Sequence, residues 1–242
     1  MTALFVSDLH LHPSRPATSR CFIAFLASLK PGQTLYILGD LFESWVGDDD
    51  PEPAYTPVKQ ALQRCSAAGI AVFLLHGNRD FLIGERFCAQ TGCTLLEDPS
   101  VVELHGQRML LMHGDTLCTD DLEYQRMRAR LRDPQWQRQA LALPLPQRLQ
   151  MAADARETSL ASNRGKDTYL MDVNPDAVLG AFEHYRAQVM IHGHTHRPGI
   201  HRLTHNGRQL QRIVLGDWYR QGSVLRMADG RSEFVNLPFR DG

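Results

Sequence analysis

Short apolar runs recur along the chain, and five of them stop at a polar cluster. ALFV (3–6) leads into Ser7-Asp8-Leu9-His10, TLYIL (34–38) into Gly39-Asp40, and IAVFLL (70–75) into His76-Gly77-Asn78-Arg79-Asp80. RMLLM (108–112) leads into His113-Gly114-Asp115, and AQVMI (187–191) into His192-Gly193-His194-Thr195-His196. Runs of this length, rich in β-branched and aromatic residues and halted near glycine, predict buried strands. Between them, residues 19–29 place Phe22, Ile23, Leu26 and Leu29 on one helical face. Residues 57–68 and 175–186 also predict helices, the latter opened by Asn174-Pro175 as N-cap and first helical residue. Strands alternating with helices imply an α/β sandwich. The stretch 199–237 holds strand-like runs (211–216 and 222–227) without a clear helix, and is expected to form a second, partly antiparallel sheet. Residues 117–172 carry helix-length patterns, Pro144 and Pro146, and no strand signal. They are expected to be a helical insertion within one domain spanning 1–242.

Composition narrows the class. Apolar residues make up 43% and charged residues 22% of the 242, as in a globular protein with a substantial core. A formal net charge of -1 gives no case for a nucleic-acid partner. The five cysteines (Cys21, Cys65, Cys88, Cys93, Cys118) lack zinc-type pairing and are expected to be reduced core thiols. The opening MTALFVSDLH has no basic segment followed by an apolar one, so no secretory signal is expected. No apolar stretch reaches about 18 residues, so no transmembrane helix is expected.

The candidate chemistry lies at the strand ends. In open α/β sheets ligands bind at the carboxyl ends of strands, so five clusters spread over the chain can meet at one edge. Asp8 and His10 lie two apart, as do His194 and His196; in extended chain that spacing turns both side chains to one side. Asp40, Asn78 and His113 each adjoin a glycine, which permits tight turns and close approach. Asp8, His10, Asp40, Asn78, His113, His194 and His196 together offer carboxylate, imidazole and amide donors with no thiolate. That set suits Mn²⁺ or Fe²⁺, with Zn²⁺, Ni²⁺ and Co²⁺ as substitutes. Seven donors exceed what one ion with an open position needs, whereas paired ions about 3.5–4 Å apart are typical of phosphatases and nucleases. The remaining histidines are expected to be surface or structural, with His192 a candidate support for the ligands.

The order DLH … GD … GNRD … HGD … GHTH over residues 8–196 resembles the calcineurin-like metallophosphoesterase superfamily. SDLHL (7–11), GDLFE (39–43), HGNRDF (76–81), HGDTLCTDD (113–121), MDVN (171–174) and IHGHTHRP (191–198) resemble, more closely, its UDP-2,3-diacylglucosamine pyrophosphatase family. The resemblance implies two mixed sheets flanked by helices. It implies two Mn²⁺ per chain, one on Asp8, His10 and His196, the other on Asn78, His113 and His194, with Asp40 bridging. Asn78, Arg79 and His113 would be catalytic. Asn78, Arg79, Asp121, Ser159, Asn163, Lys166 and His194 would contact substrate. The implied reaction is water attack on the α-phosphorus of UDP-2,3-diacylglucosamine, giving UMP and 2,3-diacylglucosamine 1-phosphate for lipid A biosynthesis. The implied setting is the cytoplasmic face of the bacterial inner membrane, as a peripheral monomer.

One departure from the wider superfamily is informative. Where many members have Gly-Asn-His-Asp, this chain has Arg79. Arginine stays charged and donates no proton near neutral pH. A leaving phosphate monoester, with a second pKa of about 6, needs no acid, so Arg79 favours anhydride cleavage. The competing readings are a phosphodiesterase or soluble-nucleotide hydrolase using the same metals, and a non-catalytic interaction module on the same fold, which the seven intact donors disfavour; a structural Arg79–Asp80 pair is the competing role for the arginine. In the insertion, Arg126, Arg128, Arg130, Arg132, Arg138, Arg148, Arg156, Arg164 and Lys166 face only Asp133, Asp154 and Glu157 between 126 and 166. Apolar Met127, Leu131, Trp136, Leu141, Leu143, Leu145, Leu149 and Met151 are interleaved with them. A basic amphipathic helical segment suits both an anionic membrane surface and a diacylated, diphosphorylated substrate.

Overall fold

The structure is a computed structural model describing residues 2–163 and 172–239, with side chains 159–163 outside the described set. The chain runs β1 (Thr2–Val6), α1 (Pro16–Ser28), β2 (Gln33–Leu38), α2 (Thr56–Ala67), β3 (Ala71–Leu75), α3 (Glu85–Thr91), β4 (Thr94–Leu96), β5 (Ser100–Leu104) and β6 (Gln107–Leu111). It continues through α4 (Leu122–Leu131), α5 (Pro134–Leu141), α6 (Leu145–Asn163), α7 (Pro175–Tyr185), β7 (Val189–His192), β8 (Gly199–His205), β9 (Arg208–Val214), β10 (Gln221–Ala228) and β11 (Arg231–Pro238). The first sheet has the order β11-β10-β1-β2-β3-β4 and the second β5-β6-β7-β9-β8. Both are mixed: β1 to β4 are parallel, as are β6, β7 and β9, while β5, β8, β10 and β11 run antiparallel to their neighbours.

The central strands β1 and β2 are buried on both faces, and their successive side chains enter opposite cores: Leu4, Val6, Leu35 and Ile37 one, Ala3, Phe5, Tyr36 and Leu38 the other. Phe5, Tyr36, Leu38 and Leu75 from the first sheet meet Met109, Leu111, Ile191 and Ile213 from the second. On β1, β2 and β3, the registered residues Phe5, Tyr36 and Phe73 stack at 5.0 and 5.1 Å. The opposite face of the first sheet packs on α1 to α3, and the outer face of the second on α7 through Val178 and Phe182. Asn174 caps α7 as its sequence predicts, accepting from Asp176 N at 2.9 Å and Ala177 N at 3.1 Å, with Pro175 next.

The stretch 199–237 departs from its expectation. It does not form one second sheet: β8 and β9 complete the second sheet, and β10 and β11 join the first beside β1. Both pairs are local hairpins, and strand pairing beyond a hairpin depends on partners distant in sequence. Within the stretch 117–172, where a helical insertion is expected, residues 122–163 hold three helices, and residues 164–171 lie outside the described residues. Among the described residues, no helix is long and apolar enough to cross a membrane. Among the described residues, none of the five cysteines is joined in a disulfide.

Candidate metal centre

Six parallel strands (β1, β2, β3, β6, β7, β9) end at one edge of the sandwich, and five of the loops that follow supply the donors. The structure brings together all seven donor residues. His10 Nε2 and His196 Nε2 are 3.3 Å apart, and Asp8 Oδ1 lies 3.2 Å from the latter and 3.9 Å from the former. Asn78 Oδ1 sits 2.9 Å from His113 Nε2 and 3.1 Å from His194 Nδ1. Asp40 Oδ2 lies between the two groups, 3.8 Å from His10 Nε2 and 3.8 Å from His113 Nε2. Asp8, His10 and His196 form one trio with converging donor atoms, and Asp8, Asp40 and His113 form another. Asp8 therefore belongs to both trios, while Asp40 is the carboxylate equidistant from two imidazoles.

The backbone that produces this convergence is not extended, contrary to the period-two argument from sequence. Asp8, His10, Asp40, His194 and His196 all have left-handed φ, between 49° and 66°. A left-handed residue curls the chain, so each loop folds its donors back over the strand end. Such backbone is unfavourable for residues with a Cβ and persists where surrounding contacts over-determine it. Those contacts are present. Asp8 N donates to Gly39 O at 3.1 Å, and His10 N to Asp40 O at 2.9 Å. His194 N donates to Asp8 Oδ2 at 2.9 Å, whose other close partner is the Ser7 hydroxyl. Glycine allows the close approach: a Cβ on Gly77 would lie 2.1 Å from Asp40 Oδ1, and one on Gly193 would overlap Ser7 and Asp8.

Several carboxylates outside the donor set hold these loops. Asp80 Oδ1 accepts from Gly77 N at 2.8 Å and Asp40 N at 3.3 Å, and Oδ2 accepts from Leu41 N at 2.7 Å. Its recorded partners are thus backbone amides rather than Arg79. Arg79 N donates to Asp40 Oδ1 at 2.8 Å. Glu43 Oε2 lies 3.5 Å from His10 Nδ1, and Asp217 Oδ2 lies 3.9 Å from His196 Nδ1. His113 Nδ1 donates to Leu38 O at 2.9 Å, which leaves Nε2 to face the centre, and His113 N donates to Asp98 Oδ1 at 2.9 Å. Fully buried His192 places Nδ1 2.9 Å from Gly193 O and Nε2 3.3 Å from Arg212 Nη1, supporting the loop behind the ligands. Glu43, Asp80 and Asp115 fall inside the quoted motifs, so the sequence offered a signal for them. Asp98 and Asp217 stand in no motif.

The electrostatics call for a cation. Asp8 and Asp40 are 0% and 2% exposed. Burial opposes ionisation of Asp8, yet its hydrogen bond with His196 and the neighbouring imidazoles hold its carboxyl below the usual range. Burial dominates at Asp40 and pushes its carboxyl up, with Asp80 and Asp8 adding to the rise. Burial would lower His113, but Asp40 and Asp8 raise it to about 9. Burial lowers His10 to about 3, and burial with the charge of His113 lowers His194 to about 4. Buried Asp8 and Asp40 beside His10 and His194, the two imidazoles that resist protonation, offer carboxylates and neutral ring nitrogens suited to a divalent ion, whose charge would take the place of the proton favoured at His113. The donor chemistry therefore fits the expected metal.

The insertion reaches the same edge through polar contacts. Arg128 Nε donates to Asp115 Oδ2 at 2.7 Å, and its Nη2 reaches Asp98 Oδ2 at 3.4 Å. Arg132 Nη2 donates to Gly77 O at 2.9 Å, and Arg156 Nη1 lies 3.2 Å from Glu43 Oε1. Arg148 Nη1 donates to Val46 O at 2.6 Å, and the guanidinium pairs with Asp49. Four of the nine basic residues are thus engaged internally, Arg126, Arg130 and Arg138 are exposed, and Arg164 and Lys166 lie outside the described residues. Asp121 caps α4, accepting from Tyr124 N at 3.1 Å. Ser159 and Asn163 fall in the last turns of α6, outside the described side chains.

Comparison with known proteins agrees with this architecture. A family model described as calcineurin-like phosphoesterase matches residues 1–198. A UDP-2,3-diacylglucosamine hydrolase of Marinobacter nauticus is 53% identical over 219 residues, 90% of each chain. Its counterpart in Stenotrophomonas maltophilia is 50% identical, covering 95% of this chain and 96% of that one. The one in Escherichia coli is 46% identical over 240 residues, covering 99% and 100%. The chain belongs to the calcineurin-like phosphoesterase family, in the branch that carries the UDP-2,3-diacylglucosamine hydrolases.

Proposed function

We propose that the chain hydrolyses the pyrophosphate bond of UDP-2,3-diacylglucosamine in lipid A biosynthesis. Water attacks the α-phosphorus, and UMP and 2,3-diacylglucosamine 1-phosphate leave. The observation that carries this reading is the seven-donor centre in a chain 53% identical to a protein of that name. Asp8, His10 and His196 would hold one Mn²⁺, and Asn78, His113 and His194 the other. Asp40, 3.8 Å from both His10 and His113, would be the carboxylate shared between them. When bound, such a pair lowers the pKa of water and draws charge from phosphoryl oxygens.

The chain's own side chains complete the chemistry. Arg79 is half-buried, its amide is fixed on Asp40, and its charge counts among those acting on His10 and Asp40. Its guanidinium neutralises charge developing on the transferred phosphoryl group, and it supplies no proton, because a leaving phosphate monoester needs none. Asn78 and His194 combine metal ligation with substrate contact, and Asp121, Ser159, Asn163 and Lys166 contact substrate from the insertion. Helices α4 to α6 form a lid over the acyl chains within the single domain. They dock the monomer, as a peripheral protein, on the cytoplasmic face of the inner membrane. Exposed Leu122, Met127, Leu141, Leu149 and Met151, interspersed with exposed Arg126, Arg130 and Arg138, support that orientation.

The test is turnover of UDP-2,3-diacylglucosamine beside simple phosphodiesters in heavy-oxygen water. The expected result is selective release of UMP carrying the label, abolished by chelation and restored by Mn²⁺. Label in the sugar phosphate would overturn attack at the α-phosphorus, and preference for simple phosphodiesters would overturn the substrate.

A further inference from the structure

The loop after β9 carries Asp217 and Tyr219 to the start of β10, on the same edge as the donors. The Tyr219 ring lies parallel to that of His10, 5.4 Å between centroids, and 5.6 Å from His196. Beside these residues opens a cleft of about 640 Å³, lined by Asp217, Tyr219, Gln221, Ser223, Phe234 and Asn236. Gln221 and Ser223 belong to β10, and Ser223 is registered with Asn236 on β11. The volume falls within the roughly 300–1,000 Å³ of small-molecule sites.

The lining has a specific chemistry. Two carboxamides supply both donors and acceptors, which the acceptor–donor–acceptor edge of uracil requires. A carboxylate accepts from ribose hydroxyls, as acidic residues do in dinucleotide sites. Phe234 offers an aromatic surface. The polar lining is ill suited to an acyl chain, and among the described lining residues Arg220 is the one cation, short of the cluster that a diphosphate attracts.

The placement agrees. The insertion approaches the centre beside His194 and Gly77, where the Tyr124 ring is 5.8 Å from His194 and Arg132 holds Gly77 O, and beside Glu43, where Arg156 Nη1 lies 3.2 Å from Oε1. The cleft opens beside His196, through Asp217, and none of its described lining residues belongs to the insertion. A substrate cleaved at the centre has two arms, and the acylated arm belongs with the exposed apolar residues of the insertion. The nucleoside arm then has its own polar cleft.

We infer that this cleft is the uridine subsite, with Gln221 and Asn236 recognising the uracil edge and Asp217 the ribose. The inference rests on the proposed substrate and adds where its nucleotide half is held. The test measures UMP binding to the Mn²⁺-loaded chain by calorimetry, with ribose 5-phosphate and inorganic phosphate as comparison probes. The variant is Gln221→Ala with Asn236→Ala, two exposed positions outside the donor cluster. The expected result is a roughly tenfold higher Kd for UMP, in keeping with two lost hydrogen bonds. Binding of the two smaller probes stays unchanged, and KM for UDP-2,3-diacylglucosamine rises while kcat holds. Unchanged UMP affinity in the double variant, or no UMP binding by the unaltered chain, would overturn the subsite. Failure of the substrate reading is separately visible: the unaltered chain would leave UDP-2,3-diacylglucosamine intact while UMP binding still responded to the double variant.

Discussion

Asp80 and Arg128 both fasten loops that carry donor residues, but they work in different surroundings. Asp80 is fully buried and accepts backbone amides from the loops after β2 and β3. Losing any of those bonds strands a polar group where water cannot replace it. Arg128 belongs to α4, a helix with no buried residue, and grips Asp115 and Asp98 from a partly exposed position. The same contrast holds across both regions. The strand-end loops are locked by left-handed turns, glycine contacts and buried carboxylates, whereas α4 to α6 rest on arginines and expose Leu122 at 63% and Leu149 at 47%. A frame of the first kind holds donors at fixed separations. A cap of the second kind can shift by exchanging ion pairs with water, which suits its proposed role of admitting a long, flexible substrate.

The sharpest way to break this contrast is to attack the frame at its centre. Asp40→Ala should lower kcat/KM by more than about 10³-fold, beyond the range for losing one electrostatic donor, and elemental analysis should show loss of both ions. Near-normal turnover would remove the bridging role. Arg79→Ala should lower kcat by about 10²–10³ with metal content intact, and Arg79→His should not restore the natural reaction; full rescue would contradict the anhydride argument. Glu43→Gln weakens a partner of His10 rather than a donor. Its metal affinity, read by competition with a chelating dye, should fall by about 10–100-fold.

Changes in the cap should spare the centre. Arg148→Met removes the bonds to Val46 and Asp49 and should weaken local docking by about 1–3 kcal/mol. Proteolysis of the 122–163 region should accelerate while metal content stays at the unaltered level; a matching loss of metal would show that cap and frame are one cooperative unit. The smallest effect on turnover is expected from replacing Arg126, Arg130 and Arg138 with Gln. Each nearby cation contributes about 1 kcal/mol to binding an anionic surface, so co-sedimentation with anionic vesicles should fall sharply. Turnover of detergent-dispersed substrate should hold within about twofold. Equal, negligible binding of the unaltered chain to anionic and neutral vesicles would remove the docking proposal.

The chain's apolar periodicity and glycine-flanked polar clusters determined that strands β1, β2, β3, β6 and β7 exist, that α1, α2 and α7 lie between them, and which side chains meet at their ends. These are local properties, because burial sets the period of a strand and a donor adjacent to a strand end needs no distant partner to be recognised. Tertiary structure alone decided three things. Pairing placed β10 and β11 beside β1 rather than with β8 and β9, since sheet order depends on contacts between segments far apart in sequence. Converging loops forced Asp8, His10, Asp40, His194 and His196 into left-handed backbone, where the spacing of two had suggested extended chain; only the competing contacts of neighbouring loops make that conformation the lower in energy. Packing also set which arginines of the insertion turn inward to Asp49, Asp98, Asp115 and Glu43 and which stay in solvent, because a charge run in sequence carries no information about the carboxylates that will face it.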